Sequence, residues 1–261
     1  TTCDQLLEKR HFTPQQVMDE YRRTIHTWFP IISESAFRTT LDSAHGNSAV
    51  LSSMLVLSMM LALSDRSAMV DSSTHDEYPS LYLSCKTILS LFMSRGEKSS
   101  QFVQAGLLIT LFEYAQGLID VAYITLGICA RTSVEWGFQK HLGNATERST
   151  QLKDQHRTWW GIVILDRSIN IVAPERFLHP AIEYSMDSQP LPTYSDGVNG
   201  DWFSLEAEAA RALGNVQAFI RGSDSNHTPE LKRGLIIDWS LTALLCRLQN
   251  YQSDMVLFKI G

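Results

Sequence analysis

Four side chains in this sequence have the types needed for acid–base work within apolar segments: Asp166, Glu113, Tyr123 and His156. A carboxyl, phenol or imidazole serves such work when its surroundings tune it, and apolar surroundings do so by disfavouring the charged form. Asp166 follows Trp159, Trp160, Val163 and Ile164 in one apolar helical stretch. A buried carboxylate without a partner is costly, so Asp166 needs a cation, and Arg131 and Arg167 are the candidates. The favoured reading is a structural ion pair, and a functional carboxylate is the alternative, because perturbed groups mark both kinds of site.

Tyr123, Gly127, Arg131 and Glu135 recur at helical spacing and form one semi-polar face. The ordinary reading of such a face is solvation, with Arg131 and Glu135 paired one turn apart for about 0.2–0.5 kcal/mol. The alternative is a pocket wall in which Gly127 admits a ligand and Tyr123 supplies a hydroxyl. Pockets between helices combine aromatic lining with a few such polar groups.

Metal and nucleotide chemistry find no support. The histidines nearer apolar segments, His26, His141, His156 and His179, lack the one-turn spacing of paired ligands on a helix. The four cysteines, Cys3, Cys85, Cys129 and Cys246, are too far apart for the short spacings of a zinc site, and a disulfide framework is not expected either. There is no glycine-rich phosphate loop and no Gly-x-Ser-x-Gly elbow, so no cofactor is implied.

These residues need a scaffold, and the composition allows one. Of 261 residues, 44% are hydrophobic and 19% charged, which suits an ordinary globular core. The net charge of -6 opposes direct nucleic-acid binding, which draws affinity from neutralised phosphates. The apolar runs 49–63 and 102–130 read as core helices and not as membrane spans, since the first is short and the second carries Glu113 and Asp120. The first residues show no secretion signal pattern.

The pattern predicts helices over 17–28, 34–41, 47–63, 77–94, 99–115, 118–136, 151–172, 202–221 and 229–251. Thr13-Pro14-Gln15-Gln16 marks the first start with a capping box and a proline at the first helical position. Gly117 divides one long apolar run into an antiparallel hairpin. The proline- and glycine-rich stretch 173–200 reads as an irregular surface loop. No strand alternation stands out. The expected fold is all-α: a single helical domain over 1–261, built of packed antiparallel helices around a central pocket.

Four segments in order carry a family resemblance. Arg157-Thr158-Trp159-Trp160-Gly161, running on to Asp166-Arg167, resembles the paired-tryptophan, aspartate, arginine signature of the fungal-specific transcription factor domain. Pro190-Leu191-Pro192 is similar to that family's proline-leucine-proline close. Ala122-Tyr123, with Gly127, Arg131 and Gly137-Phe138, resembles its preceding helix, and Phe29-Pro30 its opening. The resemblance is strongest over 17–192. Pro174-Glu175-Arg176 stands where the family has glycine-arginine-proline, and the family's cysteine cluster is missing from these residues.

The resemblance implies a regulatory domain of a nuclear protein, sensing a small molecule, with DNA read by a zinc cluster outside this chain. It also implies that the segments around Tyr123 and Trp159 lie against each other, so that Tyr123, Arg131, Trp159, Trp160 and Asp166 would line one ligand pocket. Its expected partners are a small-molecule ligand or apolar substrate and, among macromolecules, a second copy of itself. The competing reading is a stand-alone enzyme of specialised metabolism with this fold. It would cyclise or isomerise an apolar, polyketide-like substrate without a cofactor, using Asp166, Glu113, Tyr123 or His156 as acid or base and the tryptophans as walls.

Overall fold

The computed structural model describes residues 12–33, 36, 38, 47–64, 77–96, 99–138, 150–172, 179–182, 189–192, 202–222, 234–235, 237–239 and 241–245. Seven α-helices have their bounds among them: α1 (Pro14–Arg23), α2 (Asn47–Ala62), α3 (Glu77–Arg95), α4 (Ser100–Ala115), α5 (Ile119–Glu135), α6 (Thr150–Val172) and α7 (Trp202–Gly222). One 3-10 turn, Ile25–Thr27, follows α1, and there is no strand among the described residues. The fold class is therefore all-α. Ala36 and Arg38, from the expected helix 34–41, are helical, as are the described residues of 229–251. The rest of both segments, and most of 173–200, lies outside the described residues.

The helix ends follow local chemistry. The Thr13 hydroxyl accepts from the Gln16 amide at 3.2 Å while the Gln16 side chain accepts from the Thr13 amide at 2.8 Å, closing the capping box. The first helix is shorter than the pattern suggested. It stops at Arg23, because Thr24 leaves helical geometry and its hydroxyl donates to the Glu20 carbonyl at 2.7 Å. The α4–α5 hairpin turns at Gly117, whose φ of +77° only glycine adopts readily. There the Leu118 amide reaches the Glu113 carbonyl at 2.8 Å and the Gly117 amide reaches that of Tyr114 at 3.0 Å, a Schellman closure. Gly137, at φ +73°, closes α5 the same way through Phe138.

The contacts divide the chain into two compact units, Thr1–Ala181 and Ile182–Gly261. In the first, α4 is the hub and packs against α2, α3, α5 and α6. It is buried on nearly every side, including Phe102, Leu107, Leu108, Ile109 and Phe112. That burial explains why its sequence lacks a polar stripe: a helix apolar all round belongs inside. Two glycines let the neighbours come close. A Cβ on Gly106 would meet Cys129 Sγ of α5 at 2.5 Å, and one on Gly161 of α6 would meet Ile31 Cγ2 at 2.7 Å.

The segment after the first turn is bound into this core. Phe29, Ile31 and Ile32 are buried, and the Phe29 carbonyl accepts from the Tyr21 hydroxyl at 3.1 Å. Gln104 of α4 donates to the Ile31 carbonyl at 2.8 Å, and the Ser33 hydroxyl donates to Asp154 of α6 at 2.7 Å. In the second unit α7 has its own small cluster, with Leu205, Ala212 and Leu244 buried and Trp202, Ala209 and Leu241 packed on them.

Candidate functional site

The residues singled out by chemistry fall into three buried polar clusters and one exposed face. The first cluster is on α6. Asp166 has no solvent exposure and Arg167 has 1%. Arg167 Nη1 donates to Asp166 Oδ2 in a short charge-assisted contact. Sequential residues on a helix do not normally face each other. Here the guanidinium reaches back because both groups are enclosed and each needs the other's charge. The other carboxylate oxygen, Oδ1, accepts from Asn170 Nδ2 at 3.2 Å and from the backbone amide of Ala181 at 2.8 Å. Among the described residues, the cation beside Asp166 is thus Arg167. Arg131 is exposed on α5.

The second cluster joins α3, α4 and α5. Glu113, fully buried, accepts at Oε1 from Lys86 Nζ at 2.9 Å and from the Tyr82 hydroxyl at 2.8 Å. Lys86 also donates to Thr125 Oγ1 of α5 at 2.8 Å, and its ammonium lies 5.9 Å from the Tyr82 ring centre. Burial, then the hydrogen bond to Glu113 and its charge, push the Tyr82 hydroxyl far above the ordinary phenol value, so it stays a donor. Burial and the Glu113 charge also hold the Cys129 thiol up at about 12, which keeps it protonated and unreactive.

Sequence reasoning marked Glu113 but missed Tyr82 and Lys86. The signal was present: Leu81, Cys85 and Leu89 mark the buried side of α3, and Tyr82 and Lys86 run alongside it at one-turn spacing.

The third cluster lies toward the start of α6. Asp154 is buried, accepts from Ser33, and has Arg157 Nη2 at 4.0 Å. Burial raises its carboxyl above the ordinary range, while Ser33 and Arg157 pull it partly back. One turn on, the Trp160 indole N–H donates to His156 Nε2 at 3.1 Å. An imidazole nitrogen that accepts carries no proton, so this contact requires the neutral ring. Trp159 and Trp160 are both without solvent exposure.

The exposed face belongs to α5. Tyr123 and Gly127 are half-buried, and Arg131 and Glu135 are exposed. A Cβ placed on Gly127 meets nothing within 4 Å, so open space lies outside it. The Tyr123 hydroxyl donates to the His179 carbonyl at 2.8 Å. The five residues suggested as one pocket lining therefore do not share one environment: Trp159, Trp160 and Asp166 are core, and Arg131 faces outward because its turn of α5 turns Cys129, Ala130 and Ser133 inward. Tyr123 and Asp166 do come together in one respect, since both hold the segment 179–181.

No group of three or more His, Cys, Asp or Glu suited to a metal ion occurs among the described residues. No described helix is long and apolar enough to cross a membrane. Cys85 and Cys129 are buried thiols outside any disulfide, and Cys3 and Cys246 lie outside the described residues. Asp166, Glu113, Tyr123 and His156 each hold an internal partner, so the geometry lends no support to a cyclase or isomerase built on them.

The geometry defines a packed all-helical protein whose candidate acid–base groups each hold a partner of their own inside the fold. Comparison with known proteins specifies it. The model of the fungal specific transcription factor domain matches residues 18–227, and the chain belongs to that family. It is also similar to "Transcription factor BOA15" of Botryotinia fuckeliana (strain B05.10), at 29% identity over 142 residues, covering 54% of this chain and 72% of the relative. No solved structure matches. The role of the chain is regulatory, of the transcription-factor type.

Proposed function

We propose that this domain acts in the nucleus as the effector-responsive part of a fungal transcription regulator, alongside a DNA-reading module outside these 261 residues. The observation that carries this reading is the family match over 18–227, joined to an interior whose buried ionisable groups are committed to partners within the fold. The similar protein is itself named a transcription factor. A net charge of -6 with no zinc-type cysteine spacing supports a reading in which another module contacts DNA. The effector is a small, largely apolar molecule carrying a hydrogen-bond acceptor. The outward side of α5 supports this class, with open space at Gly127 beside the half-buried Tyr123 and the exposed Ile124.

The test fuses the whole chain to an unrelated DNA-binding domain in a fungal reporter strain and runs the unfused chain in a gel-shift titration. The expected result is a reporter output different from that of the DNA-binding domain alone, and no sequence-selective shift of duplex DNA. Equal outputs, or selective DNA binding by the unfused chain, would overturn the reading.

A further inference from the structure

We propose that Tyr123 and Asp166 form a releasable clasp on the segment 179–181, and that opening this clasp is how the domain's regulatory output changes. The proposal rests on the regulatory reading above for its output, and on geometry alone for the clasp. Two helices fasten the segment. From α5 the Tyr123 hydroxyl donates to the His179 carbonyl at 2.8 Å, and from α6 the Asp166 carboxylate accepts the Ala181 amide at 2.8 Å.

The two fastenings differ in strength. The Tyr123 contact is neutral and open to solvent, so water replaces it at little cost. The Asp166 contact is charge-assisted, and its carboxylate is buried against Arg167 and Asn170. Release at His179 leaves the segment held through the Ala181 amide alone, so the second fastening opens more readily once the first is lost.

The position gives this motion a consequence. Ala181 is the last residue of the first unit, and the chain enters the second unit at Ile182. The Asp166 contact thus holds the boundary residue of the first unit. An effector with a hydrogen-bond acceptor that reaches Tyr123 from the side of Gly127 competes with the His179 carbonyl for the same hydroxyl. Binding and clasp opening are then linked, because a ligand shifts an equilibrium only through differential affinity for its two states.

The experiment is hydrogen exchange across 179–182 in the full chain, comparing the parent with Tyr123→Phe and with Arg131→Ala as a control on the same helix. Loss of one neutral, exposed hydrogen bond should speed exchange of the Ala181 amide about two- to tenfold, while Arg131→Ala leaves it unchanged. The same variants are read in the reporter fusion, where Tyr123→Phe should alter output and Arg131→Ala should not. Unchanged exchange at Ala181 in Tyr123→Phe overturns the clasp. Faster exchange with unaltered output, in a fusion whose parent domain does drive a response, overturns its regulatory role. If the parent fusion matches the DNA-binding domain alone, the functional reading fails, and the exchange result still decides the clasp.

Discussion

A carboxylate without solvent contact must have its charge met inside the protein, and Asp166 and Glu113 meet that need in different ways. Asp166 is served by its sequence neighbour Arg167, by Asn170 and by a backbone amide, all tied to α6 or to the segment returning upon it. Glu113 is served by Lys86 and Tyr82 from another helix, and the Lys86 side chain keeps 27% exposure. The pair on α6 is therefore the more fully enclosed. Asp166→Asn removes the carboxylate beside the buried Arg167 guanidinium, and removal of one partner from such a pair costs about 3–5 kcal/mol. Urea unfolding should register this loss. A stability unchanged by the substitution would show that Arg167 finds another partner and that Asp166 is not structural.

Along the helices, glycines decide how closely neighbours approach, and two of them give opposite expectations. Gly106 of α4 faces Cys129 Sγ at 2.5 Å from a would-be Cβ, so Gly106→Ala forces α4 and α5 apart or strains them. Overpacking of this kind costs about 1–3 kcal/mol. Cys129→Ala, which removes the obstructing sulfur, should restore part of that loss in the double variant. Gly127 of α5 is helical with open space outside, so Gly127→Ala meets nothing and gains about 0.5–1 kcal/mol from reduced backbone freedom in the unfolded chain. Thermal unfolding of the two single variants should move in opposite directions. Movement of both downward would place an unseen neighbour against Gly127.

For the molecule as a whole, the two compact units carry different titrating groups, and the second should respond to pH through Glu206. Burial holds this carboxyl up at about 7 against its ordinary value of 4.5. Its Oε2 atom is buried with no hydrogen-bond partner among the described residues. Between those two values the folded chain holds a proton that the unfolded chain has lost. Its contribution to stability is full below 4.5 and disappears as pH rises through 7. Melting temperatures taken on either side of this window should fall with rising pH in the parent, and fall less in Glu206→Gln. Identical pH dependence in the two proteins would mean that Glu206 is solvated and ionised throughout.

Much of the architecture was legible in the residues themselves. Capping chemistry at Thr13 and Gln16, the break at Gly117 and the long apolar runs are local signals, and local signals specify helices because hydrogen bonds and side-chain spacing within a helix involve near neighbours. The ordered tryptophan, aspartate and arginine segments likewise gave the family. The need of Asp166 for a cation followed from burial alone, but which cation did not. Arg131 and Arg167 were equally plausible by type, and only packing turned Arg131 to solvent and enclosed Arg167. The partners Lys86 and Tyr82 for Glu113, Ser33 for Asp154, and the Ala181 amide for Asp166 lie 27, 31, 121 and 15 residues away in sequence. Such pairings depend on which helix faces and returning segments pack together, and no local pattern encodes that choice. It is made when the apolar faces of α2, α3, α5 and α6 compete to cover the same central helix, and the buried charges then pair with whatever that arrangement brings within reach.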